Sequence, residues 1–159
     1  MNAYSLKTLQ ETKAGFTDLF VIKAADLTVA VNDLLQNIAL CTLNAGDVIF
    51  DRTVVEIVTA IDPQPSANAA VTVSVGRTTS GYADCLAAYT IMTGGTAVAA
   101  GGTSATGAAI GHQVIASDST VVYAQVDIND ADGALSTITT GELRIWMSIS
   151  RARDRKVEA

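Results

Sequence analysis

Aromatic residues are scarce in this sequence, at 5% of its 159 residues, with a single tryptophan at Trp146. That scarcity removes the large rings that usually dominate a core or stack against a sugar. Histidine occurs once, at His112, and cysteine twice, at Cys41 and Cys85. The cysteines form no C-x-x-C pair, so neither a redox motif nor the ligand set of a structural zinc site is present, and both read as buried free thiols. No serine or cysteine sits in a G-x-S-x-G elbow or another nucleophile setting. With that absence, His112 beside Gly111 reads as a turn or interface residue, and no catalytic residue is expected.

Charge is also thin, at 16% of residues, and its balance is acidic: 10 Lys and Arg against 16 Asp and Glu give a net charge of −6. Phosphate binding rests on clustered cations, so nucleic acid is not expected as the partner. Four of the ten cations, Arg151, Arg153, Arg155 and Lys156, fall together near the end, leaving residues 1–150 with 6 basic and 14 acidic groups, or −8. A basic tail over 151–159 and an acidic body can attract each other between neighbouring copies. Long apolar runs are missing too. The uncharged stretch from Cys85 to Gly111 is broken by Gly94-Gly95 and Gly101-Gly102, well short of the ~18 apolar residues of a membrane span, and no membrane contact is expected. Met1 to Lys13 lacks the apolar segment of a secretion signal, which points to folding in a cytoplasm.

Two local patterns touch on ligand chemistry and fall short of it. Gly102 to Gly107 is followed by Ala108-Ala109, where a phosphate-binding loop carries Lys and Ser or Thr. Asp127-Ile128-Asn129-Asp130-Ala131-Asp132-Gly133 gathers oxygen ligands but misses the EF-hand spacing, so it reads as an Asx-rich turn, with a looser ion site as the alternative. No cofactor and no metal are expected.

What the sequence does have is small aliphatic residues: 49% of it is hydrophobic, with a mean hydropathy of +0.33. That suits one folded domain over 19–150, preceded by an arm over 1–18. Short apolar segments follow one another with turn chemistry between them and no sustained 3.6-residue period. They are Leu19 to Ile22, Asp26 to Val31, Ile38 to Leu43, Val48 to Phe50, Val54 to Ile61, Val71 to Val75, Val121 to Val126 and Leu143 to Ile149. Asn44-Ala45-Gly46-Asp47 and Thr139-Thr140-Gly141-Glu142 are turn signals, Asp62-Pro63-Gln64-Pro65 is a loop, Gly76 ends a strand, and Asp84 to Tyr89 leaves room for one helical turn. In the last strand Leu143, Ile145, Met147 and Ile149 share a face, which turns Arg144 and Trp146 to the other. An uncovered indole there implies an interface, with a neighbouring subunit as cover, or a loop of the same chain over it. About eight strands without helices for βαβ crossovers predict an all-β, antiparallel sandwich, jelly-roll-like, with an immunoglobulin-like sandwich as its rival.

Three segments, Ala39-Leu40-Cys41-Thr42-Leu43-Asn44-Ala45-Gly46-Asp47-Val48-Ile49, Val54-Val55-Glu56-Ile57-Val58-Thr59-Ala60 and Val73-Ser74-Val75-Gly76, together with the closing Thr139-Thr140-Gly141-Glu142-Leu143-Arg144-Ile145-Trp146, resemble small virion proteins of tailed bacteriophages, capsid decoration (cement) proteins among them. The likeness covers roughly residues 19–150 and is one of strand and turn pattern. It implies a jelly-roll-like domain that assembles as a homo-oligomer, usually a trimer, on the major capsid protein of a virion assembled in the host cytoplasm. A tail or head-fibre component is the alternative, and a carbohydrate- or receptor-binding sandwich is another. On this reading the interface residues are Trp146, Arg144, Arg151, Arg153, Arg155 and Lys156.

Overall fold

The computed structural model describes residues 2–5, 15–28, 35–62, 70–77, 83–93, 96–97, 103–105, 114–129 and 134–152. Leu143, Ile145, Met147 and Ile149 alternate along the last strand, and all four enter one core at 4% exposure or less. Val71, Val73 and Val75 do the same from the facing sheet, each fully buried. These stripes place the chain in the all-β class, as a sandwich of two antiparallel sheets.

The strands are β1 (Asn2–Ser5), β2 (Asp18–Lys23), β3 (Leu35–Leu43), β4 (Val48–Asp62), β5 (Val71–Arg77), β6 (Leu86–Thr93), β7 (Thr96–Ala97), β8 (Thr103–Ala105), β9 (Val114–Ile115), β10 (Thr120–Ile128) and β11 (Thr140–Ser150). Single 3-10 turns occupy Ala24–Asp26 and Leu135–Thr137. The first sheet runs β1-β2-β11-β4-β8, with β9 also paired to β4, and the second runs β3-β10-β5-β6-β7. Phe20, Val55 and Ile145 of the first sheet share the core with Leu40, Val73 and Val126 of the second. Burying a Val, Leu or Ile side chain is worth about 1.5–3 kcal/mol. A core this poor in rings therefore draws its stability from the number of its aliphatic contacts.

Local polar chemistry decides where the strands stop. Asp47 Oδ2 accepts from the Asn44 amide at 2.9 Å while Asp47 N donates back to the Asn44 carbonyl at 2.9 Å. Gly46 closes this expected turn at φ +85°, a left-handed conformation that costs other residues strain. The strand expected to open at Asp26 does not form over residues 26–28. There the Asp26 carboxylate accepts from Lys23 N at 2.9 Å and Leu27 N donates to the Ala24 carbonyl at 3.0 Å, so side-chain bonding closes a turn in place of a ladder. Residues 29–34 lie outside the described ones. Asp84 to Tyr89 holds no helical turn: after a bend at 84–85, anchored by Cys85 N on the Val75 carbonyl at 3.0 Å, β6 begins at Leu86. Gly76 does not end its strand, which continues to Arg77.

Two further boundaries move. Residues 2–5 of the expected arm pair antiparallel with β2, from Asn2 opposite Val21 to Ser5 opposite Asp18, so they lie in the sheet. Thr17 also belongs to the body, since its backbone N donates to the Met147 carbonyl at 3.0 Å and its Oγ1 accepts from Ile149 N at 2.7 Å.

Thr53 is 1% exposed in β4, and its Oγ1 has no hydrogen-bond partner among the described residues. A buried hydroxyl without a partner costs about 1–3 kcal/mol of desolvation. Thr53→Val keeps the branched shape and removes that penalty, so it is expected to raise stability by about 1 kcal/mol. Urea unfolding at an unchanged slope reads this directly, and a loss of stability would mean that the hydroxyl is satisfied.

Candidate assembly surfaces

The outer face of the first sheet is covered by its own chain around Trp146. Trp146 points away from the core, as the alternation requires, yet only 2% of it is exposed. It packs with Leu19, Val21, Phe16 and Val54 in a second apolar cluster. The Phe16 ring lies 6.2 Å away, tilted by 53°, a favourable aromatic arrangement. The indole Nε1 donates to Glu56 Oε2 at 2.9 Å, which satisfies its one polar group. Trp146 thus needs no neighbouring subunit as cover and offers little surface to one, which corrects its assignment as an interface residue. Arg144 pairs with Glu142 at 3.2 Å on the same strand, with about a third of its side chain exposed.

Arg151 also differs from its sequence assignment. Instead of opening a tail, it is held against one end of the sandwich. Its guanidinium reaches Asp18 at 3.1 Å, Asp47 at 3.8 Å and the Thr42 carbonyl at 3.4 Å. The next amide, Ala152 N, donates to Asp47 Oδ1 at 2.7 Å. Asp47 is 1% exposed, and burial of that degree is tolerated for a carboxylate only when it is paired and hydrogen-bonded. Its own backbone carbonyl accepts from Ala116 N at 2.9 Å, so three distant segments meet at this residue. Sequence reasoning missed this cluster: Asp47 reads only as a turn residue, and Asp18 lies 133 residues from Arg151. Arg153, Arg155 and Lys156 lie outside the described residues.

The outer face of the second sheet is different in kind. Across β3, β10 and β5 its rows are Leu35, Asp127 and Thr72, then Asn37, Gln125 and Ser74, then Ala39, Tyr123 and Gly76. One charge, Asp127, stands among these nine positions. Gln125 Nε2 donates to Asn37 Oδ1 at 3.0 Å across the strand pair. Leu35 is half exposed, at 50%. Partial burial in this face pushes the Asp127 carboxyl above its ordinary value, because desolvation disfavours the charged form. Ser74 is 7% exposed and Gly76 lies against the Asp84 carboxylate, so the chain covers the β5 side of this face itself and leaves Leu35, Asn37 and Ala39 of β3 exposed.

The two thiols are structural. Burial pushes Cys41 up to about 11 despite the opposing pull of Arg151, and burial together with Asp84 pushes Cys85 in the same direction. Because the thiolate is the reactive form, both are expected to react at pH 8 about a hundredfold more slowly than a free thiol, or slower. A disulfide reagent should label the native chain slowly, half-buried Cys41 before buried Cys85, and rapid native labelling of Cys85 would contradict its burial. Among the described residues no group of three or more His, Cys, Asp or Glu side chains is placed to hold a metal ion. His112, residues 102, 106 and 107 of the Gly102 to Gly107 stretch, and residues 130–133 of the Asx-rich stretch lie outside the described residues.

No protein-family model matches the chain, and neither a curated protein nor a solved structure matches it.

Proposed function

We propose that this chain is a non-enzymatic structural protein that works by surface contact within an assembly, of the type that decorates and stabilises the exterior of a phage capsid as an oligomer. The observation that carries this reading is the contrast between the two outer faces among the described residues: one is covered around Trp146 by its own chain, and the other presents, along β3, the exposed and uncharged Leu35, Asn37 and Ala39. Two supports add to it. The slab is cross-braced by hydrogen bonds and ion pairs between distant segments, which suits a part that bears load. The resemblance of residues 19–150 to decoration proteins supplies the shell, its major capsid protein and a virion location. In this setting Arg144, Arg153, Arg155 and Lys156 remain candidate contacts, and an oligomer of three copies is what the resemblance implies.

Binding to shells tests the proposal. Purified protein added to capsids that lack it should co-sediment to a saturating ratio and raise the temperature at which the shells release DNA. Absence of binding to any shell, together with binding to tail or fibre preparations, would move the protein to the alternative location. Absence of both would end the reading.

A further inference from the structure

We propose that Arg151 and Ala152 form a latch at one end of the sandwich, which opens as a unit while both sheets stay folded and in doing so uncovers Cys41. The last rung of the β11 ladder pairs Ser150 with Val48. Past that rung the chain is fixed by other means. The Arg151 guanidinium bridges Asp18 at 3.1 Å and Asp47 at 3.8 Å and donates to the Thr42 carbonyl at 3.4 Å, while Ala152 N donates to Asp47 Oδ1 at 2.7 Å.

Neither residue belongs to the main core or to the cluster around Trp146. Breaking these four contacts therefore leaves the ladder and the apolar packing in place, which is the condition for a local opening that costs less than global unfolding. Asp47 draws the latch shut. At 1% exposure its carboxylate is compensated only while charged and polar donors face it, and Arg151 and Ala152 N are two of them.

Cys41 lies beside this latch and is half-buried. It precedes Thr42, whose carbonyl holds the guanidinium, and the guanidinium lies against its thiol. Arg151 thus acts on Cys41 in two opposite ways: its charge favours the thiolate, and its position obstructs a reagent. Arg153, Arg155 and Lys156 follow directly in the sequence, so a pull on them reaches the body through the latch. The latch needs no shell to form or open, so its failure and the failure of the decoration reading are separable.

Labelling of the full chain with a disulfide reagent, the two cysteines followed separately by peptide mass, tests the latch. Its opening exposes little surface, so labelling of Cys41 should stay flat in low urea, whereas labelling of Cys85, packed in the main core, should climb with the slope of global unfolding. Arg151→Met removes the guanidinium contacts and keeps most of the bulk, and Cys41 is then expected to react about tenfold faster or more. A charge acting alone would give the opposite sign, since loss of the cation pushes the thiol further up and slows the reaction. Arg144→Met, which removes the cation paired with Glu142 on β11, should leave the Cys41 rate within about twofold. A shared urea slope for the two cysteines, unchanged or slower Cys41 labelling in Arg151→Met, or an equal gain in Arg144→Met would each overturn the proposal. The urea comparison uses the parent protein, so it decides even where Arg151→Met does not fold.

Discussion

Gly76→Ala is expected to destabilise the protein by about 3–4 kcal/mol, one of the largest effects of a single added methyl group in this fold. An added Cβ would lie 2.6 Å from Ala83 N and 2.7 Å from Asp84 N, and would overlap a carboxylate oxygen of Asp84. Backbone atoms cannot rotate away as a side-chain tip can, so the segment at 83–85 must move. Moving it stretches three bonds: Arg77 N to Asp84 Oδ1 at 2.8 Å, Arg77 Nε to Asp84 Oδ2 at 2.6 Å, and Cys85 N to the Val75 carbonyl at 3.0 Å. Overpacking alone costs about 1–3 kcal/mol and each lost hydrogen bond about 1 kcal/mol. By contrast, Gly46→Ala meets only the Ala152 Cβ, at 3.2 Å, and its cost is mainly the strain of positive φ, about 1–2 kcal/mol. Urea unfolding of the two variants side by side checks the order. Equal losses would mean that residues 83–85 yield easily.

Asp47→Ala is expected to cost about 3–5 kcal/mol, the range for breaking a buried charged network from one side. The substitution strands the Asn44 and Ala152 amides, which donate to the two carboxylate oxygens at 2.9 and 2.7 Å. Arg151 keeps its 3.1 Å bridge to Asp18, which limits the loss. Asp47→Asn preserves the shape but offers a single acceptor oxygen, so it is expected to recover about half of the stability. Hydrogen exchange localises the effect: the Ala152 amide should exchange at least about tenfold faster in Asp47→Ala, while amides in the middle of β10 change only with global stability. Unchanged protection at Ala152 would show that Arg151 alone holds this segment.

Much of the fold was legible in the sequence because strand pattern is a local property. Side chains on a strand alternate between faces, so Val71, Val73 and Val75, and Leu143, Ile145, Met147 and Ile149, announce both the strand and its buried side without knowledge of a partner. The turn at residues 44–47 is legible for the same reason, since its glycine and its bonding carboxylate lie within four residues. The misreadings also have local causes. At Asp26 a short acidic side chain closes a turn where a β-branched run follows, and at residues 84–85 a bend fixed by Arg77 and Val75 leads directly into β6 where the spacing left room for a helical turn.

The assembly surfaces were less accessible. Alternation placed Trp146 on the outer face, but its cover depends on Phe16 and on Glu56, 90 residues away. By itself the sequence determined the fold class, the paired inner stripes and the sign of the charge, because composition and a two-residue period do not depend on which strands meet. Only the tertiary structure decided that Trp146 is covered by its own chain and that Arg151 is clasped between Asp18 and Asp47. Those outcomes depend on strand order and register, which join residues about a hundred positions apart and leave no mark in any short window of sequence.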